Sequence, residues 1–154
     1  MRRIIVVSLL LLSFTTTFAQ LNITSEEMKI STIGAIRVSY ANLQMSITGQ
    51  DTTIYISARS SNQFDDPYIF DLGKSPKSAL ATANDLMELC DKMDNRGNIT
   101  VKDAGGKEFI IMKASMLGAP YLDFKGRGYA GTMNITKKEF DKCKQLIQSN
   151  FKIK

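Results

Sequence analysis

The side chains of this sequence with chemistry to offer are 15 carboxylates, two cysteines and five tyrosines; histidine is absent altogether. Without imidazole, Ser-His-Asp and Cys-His nucleophilic catalysis, histidine metal sites and imidazole proton transfer are excluded. Two cysteines alone cannot complete a tetrahedral zinc site. A hydrolase would have to use paired carboxylates or a serine beside a lysine, and no spacing in the chain singles out such a set. We expect no catalytic residue, metal or cofactor. Tryptophan is missing too, which leaves tyrosine as the stacking surface for a sugar. Tyr121 and Tyr129, on neighbouring predicted strands, are the candidate ligand contacts.

Cys90 and Cys143 each fall on the apolar stripe of a predicted helix. In an oxidising compartment they are candidates for a disulfide, which in the chain-entropy model would add about 4 kcal/mol. The other reading is two buried free thiols packing as small hydrophobes. Sequence spacing leaves both open, because a bridge depends on distance and direction in space.

Several short motifs are better explained as structure. Gly126-Arg-Gly-Tyr-Ala-Gly131 matches the dinucleotide fingerprint in letters only, since the next helix signal begins well past the last glycine and no acidic residue follows at the required distance. Its glycines suit a turn and a twisted strand. Asp91, Asp94, Asn95 and Asn98 gather around Gly97 without calcium-loop spacing and read as a helix-ending turn. Asn-Ile-Thr at 22–24, 98–100 and 134–136 is a nominal N-glycosylation acceptor that equally suits turns, strand starts and a helix cap. Asp51-Thr52-Thr53 resembles the short acceptor motif of O-glycosylated secreted proteins of Bacteroidetes-type bacteria, which makes Thr52 a candidate for O-glycosylation at a predicted turn. The lysines at 137, 138, 142, 144, 152 and 154 read as a solvated helix face, with docking of an acidic partner as the minor alternative.

The start of the chain indicates destination. Arg2-Arg3, the apolar run Ile4–Leu12 and the small-residue end at Ala19 are the three parts of a secretory signal peptide, with cleavage expected after Ala19. The apolar run is too short to span a bilayer, which takes about 20 residues. A small residue followed by Gln20 at this point resembles the leaders of exported proteins of Bacteroidetes-type bacteria. We expect residues 1–19 to be a leader and 20–154 a single domain, periplasmic or secreted, with no membrane span. The formal charge of +5 loses Arg2 and Arg3 with the leader, an excess too small to suggest a nucleic-acid partner.

The best-specified local structure is a hairpin, in which Ala104-Gly-Gly106 separates two β-rich runs. Phe109 and Ile111 alternate with Ile110, Met112 and Ala114, so the second run is expected to be covered on both faces. Ahead of it, a polar lead-in to Thr32 is followed by Ile36–Ile47, whose apolar phase shifts after Asn42 as at a bulge or short break. A turn at Thr48–Asp51 leads to a strand through Ile54 and Ile56, and Tyr68–Phe70 is another. Ser75-Pro76 opens a first helix carrying Leu80, Ala83, Met87 and Cys90, which Gly97 is expected to stop. Later come strands at Tyr121–Phe124 and Tyr129–Met133. Thr136 and Glu139 then form a capping box ahead of Phe140, Cys143, Ile147 and Phe151.

These elements predict an α+β fold of order β-β-β(β)-α-β-β-β-β-α, a mainly antiparallel sheet of six to eight strands with both helices on one face. Each half contains a hairpin, a strand and a cysteine-bearing helix, a faint internal echo. The function expected is that of an exported, non-catalytic binding domain. Its partner would be another exported protein, as for an inhibitor or immunity protein. The alternatives are a glycan or cell-envelope module using the tyrosines, and a histidine-free hydrolase using acidic residues.

Overall fold

Direct connections between successive strands favour antiparallel pairing, and six such pairings build two sheets. The computed structural model describes residues 27–60, 65–94, 97–116, 118–129 and 131–153. β1 (Lys29–Arg37), β2 (Ala41–Thr48), β3 (Asp51–Ala58) and β4 (Tyr68–Gly73) form the first sheet in chain order, followed by α1 (Pro76–Lys92). β5 (Asn98–Lys102), β6 (Glu108–Met116), β7 (Ala119–Gly126) and β8 (Met133–Thr136) form the second, followed by α2 (Lys137–Phe151). The expected element order is present, and the internal echo becomes a ββββα unit used twice. The expected single sheet is corrected to two of four strands. α1 separates β4 from β5, and the outer edge of β4 is closed by the β5–β6 turn and by side chains instead of by another strand.

The proposed leader at 1–19, its cleavage point, the first Asn-Ile-Thr and the start of the polar lead-in lie outside the described residues. So do residues 61–64 of the loop before β4 and residues 95–96 of the proposed helix stop.

Local signals explain most elements. Gly106, at φ +85°, closes the β5–β6 turn, where the Gly106 N–H donates to Asp103 O at 3.0 Å. Phe109 and Ile111 face the core, but Ile110 is 44% exposed, so β6 is an inner strand covered on one face, contrary to expectation. The phase shift after Asn42 reflects a reversal. β1 ends at Arg37, Ser39 takes φ +62° in the turn, and β2 starts at Ala41. The strand expected from Tyr129 to Met133 begins only at Met133, with Tyr129, Gly131 and Thr132 outside any strand, and β8 occupies Met133–Thr136 directly before α2.

Ser75 and Thr136 cap their helices as anticipated, each bonding the backbone N–H three residues on. α1 stops at Met93, ahead of Gly97; Lys113 of β6 reaches the Met93 carbonyl at 2.7 Å and meets the negative end of the helix. The helices pack on each other, α1 also against β4 and α2 against β1 and β8. One continuous core results, from Ile36, Leu43 and Ile56 through Phe70, Phe109 and Phe124 to Phe140 and Ile147. Among the described residues no helix is long and apolar enough to cross a membrane.

The disulfide reading is corrected. Cys90 and Cys143 are both free and buried. Each fills the core from its own helix as a small apolar group, and burial pushes the Cys90 thiol up to about 11 and the Cys143 thiol up to about 12.

Candidate functional site

β4 has β3 on one side only, so the backbone groups on its other edge need partners. Asp103, buried in the β5–β6 turn, accepts the Asp71 N–H at 3.2 Å and the Lys107 N–H at 2.8 Å, while the Ala104 N–H donates to Asp71 O at 3.0 Å. Two residues away, the Tyr129 hydroxyl accepts from Ile69 N–H at 3.4 Å and donates to Ile69 O at 3.3 Å. The Tyr129 ring stacks on Tyr68 with centroids 4.2 Å apart and lies 6.2 Å from Phe109. Gly126 permits this packing, since a Cβ there would come within 2.6 Å of the Tyr129 ring.

The hairpin ends drawn in to close β4 create a cleft of about 730 Å³. Asp65, Asp66 and Pro67 enter it from the approach to β4 and Lys107 from the β5–β6 turn; Arg127, Gly128 and Tyr129 enter from the segment after β7. A smaller cavity of about 250 Å³ continues past Lys107 and Arg127 to Glu108 and Phe109. The size suits a small molecule or a short peptide segment. Lys107 and Arg127 are exposed and supply donors, Arg127 in the fork that grips a carboxylate bidentately, while Asp65 and Asp66 supply carboxylate charge. The cleft therefore presents both signs of charge beside an aromatic wall.

Asp71 and Asp103 are neighbouring carboxylates whose charges interact. Burial, then the charge of Asp103, pushes the Asp71 carboxyl up, with Lys107 and Lys74 opposing. Both oxygens of Asp103 accept backbone N–H groups, and the Asp71 carboxylate packs against Gly105. The pair therefore holds a turn in place.

The sequence candidates scatter. Tyr129 lines the cleft, but its ring and hydroxyl are committed to packing and to Ile69. Tyr121, half-buried on β7 opposite Thr136, is outside the cleft lining. The two are not brought together. Thr52 lies within β3 opposite Ile47, one residue beyond the Gly49–Asp51 reversal, and is half-buried. Lys137 is ion-paired with Asp91 at 2.7 Å, joining the helices, while Lys138 lines a separate cavity of about 570 Å³ with Met87 and Pro120. Sequence reasoning missed Lys107 and Arg127. Each is a cation beside a turn glycine, in Gly-Gly-Lys and Gly-Arg-Gly, and that juxtaposition was the available signal.

A second polar constellation joins the two halves. Arg37 forks onto Glu139, with Nη2 2.7 Å from Oε2 and Nε on Oε1, and also binds the Asn134 side chain at 3.0 Å and its carbonyl at 3.2 Å. Its guanidinium lies 4.5 Å from the centre of the Tyr40 ring, whose hydroxyl accepts the Asn134 N–H at 3.3 Å. This network closes the edge of β8 as Asp103 and Tyr129 close that of β4. No protein-family model, curated protein or solved structure matches the chain.

Proposed function

We propose that this is an exported, non-catalytic binding domain whose cleft takes a charged segment of another exported protein, in the manner of an inhibitor or immunity protein. The observation that carries the reading is the cleft itself. Lys107 and Arg127 stand at hairpin ends fixed by Asp103 and Tyr129, with Asp65 and Asp66 nearby, so charges of both signs are positioned in advance. A preorganised mixed-charge site selects a polypeptide with complementary charges and makes its association salt-dependent. Export rests on the N-terminal sequence. The commitment of Tyr129 to Ile69 and Tyr68 favours a protein partner over a glycan stacked on tyrosine.

The test is affinity capture with the tagged protein from envelope and secreted fractions, beside the double variant Lys107→Glu/Arg127→Glu. One stoichiometric protein partner is expected, with binding weakened about tenfold or more by the variant, equivalent to roughly 1.4 kcal/mol or more. A partner held equally by both forms would exclude the cleft, and retention on polysaccharide without a protein partner would replace this reading with the glycan one.

A further inference from the structure

We infer that the N-terminal half of β1 is a self-pairing edge, through which two copies of this chain join their first sheets antiparallel into one sheet of eight strands. Among the described residues the two sheets have four edges. That of β4 is closed by Asp103, Ala104 and Tyr129, and that of β8 by Arg37 and Tyr40. β5 is five residues long, and its exposed positions are Asn98, Thr100 and Lys102, the polar and cationic surface that discourages pairing. β1 differs along its length. Beyond Thr32 it carries two register shifts, and Leu146 of α2 lies over Gly34. From Lys29 to Thr32 the pairing with β2 is regular, every residue is exposed, and the apolar Met28 and Ile30 stand 60% and 59% exposed.

The sequence of this edge favours a second copy. In a two-fold antiparallel pair, residues with the same backbone orientation must face each other, so a residue must lie on the axis. With Lys29 on the axis, like charges meet, which is unfavourable. With Ile30 on it, Ile30 faces Ile30, Met28 faces Thr32 and Lys29 faces Ser31 of the partner. Met28, Ile30 and Thr32 share one face of the strand, and the pairing sets Ile30 against Ile30 at its centre with Met28 and the methyl of Thr32 on either side. No like charges oppose in this register. β1 is the far edge of the first sheet from β4 and the cleft, so the pairing leaves the proposed binding site open and presents it twice.

The purified full chain is examined by light scattering coupled to size exclusion over a wide concentration range, with Ile30→Lys alongside. Wild type is expected to approach twice the monomer mass as concentration rises. Ile30→Lys should stay at the monomer mass with an unchanged circular dichroism spectrum, since the side chain is exposed. Under mild oxidation Ile30→Cys should form a covalent dimer and Thr32→Cys should not, because directly opposed residues lie about 4.5–5.5 Å apart, within reach of a disulfide. Cys90 and Cys143 are buried and provide a quiet background. A wild type that remains monomeric, a dimer indifferent to Ile30→Lys, or cross-linking at Thr32→Cys in place of Ile30→Cys overturns the inference.

Discussion

Glu139 and Asp71 are both carboxylates at the joint between the two halves, and pH acts on them in opposite senses. Burial alone would raise the Glu139 carboxyl, but hydrogen bonds from Arg37 and Thr136 outweigh it and hold it below its ordinary value. A carboxyl lowered in the folded state gives stability that is present above its unfolded value and is lost as pH falls through the folded one. Glu139→Gln should therefore destabilise at neutral pH and flatten the acid limb of the stability curve. Arg37→Ala, which strands a half-buried carboxylate, should cost roughly 2 kcal/mol in urea denaturation. Asp71 is raised, so its contribution is present below its unfolded value and is lost as pH rises through the folded one. Asp71→Asn should gain on wild type as pH rises above the ordinary carboxylate range, the opposite slope. The cysteines give a simpler readout: iodoacetamide should label neither in native protein and both after denaturation without reductant, as mass spectrometry would show.

At the level of elements, the edge of β4 depends on one phenol. Removing the Tyr129 hydroxyl leaves the N–H and carbonyl of Ile69 unpaired, so Tyr129→Phe should cost about 1–3 kcal/mol and speed amide hydrogen exchange at Ile69 ahead of that at Ile56 in the neighbouring β3. Equal protection at both would mean that the hydroxyl is dispensable. Elements set by neighbours in sequence were readable in advance. Ser75-Pro76, Thr136 with Glu139, and the glycines at 105 and 106 each fix local backbone within a few residues. The division into two sheets was not readable, because the groups that end them reach across 32, 60 and 97 residues, from Asp71 to Asp103, Ile69 to Tyr129 and Arg37 to Asn134. The reversal at Ser39 was also hidden, since a non-glycine residue there takes the left-handed conformation that glycine usually marks. The cleft inherits the same difficulty. Lys107 and Arg127 are distant in sequence, and only the closure of β4 places them together.

For the molecule as a whole, repetition of ββββα does not produce two independent domains. The core runs through both units, and the last strand of each unit has its outer edge closed by groups of the other. A fragment ending at Asp94 should therefore lack the cooperative unfolding transition of the intact chain in thermal circular dichroism; a sharp transition from that fragment would show the first unit to be autonomous. The dependence also has a time axis. A chain made from its N-terminus presents Ile69 long before Tyr129, 60 positions later, an interval of several seconds at about 5–20 residues per second. Once Gly73 is made the first sheet has all its strands, but its β4 edge stays open until Asp103 and Ala104 and then Tyr129 follow, so the nascent protein passes through a sticky stage that ends only when its second half arrives.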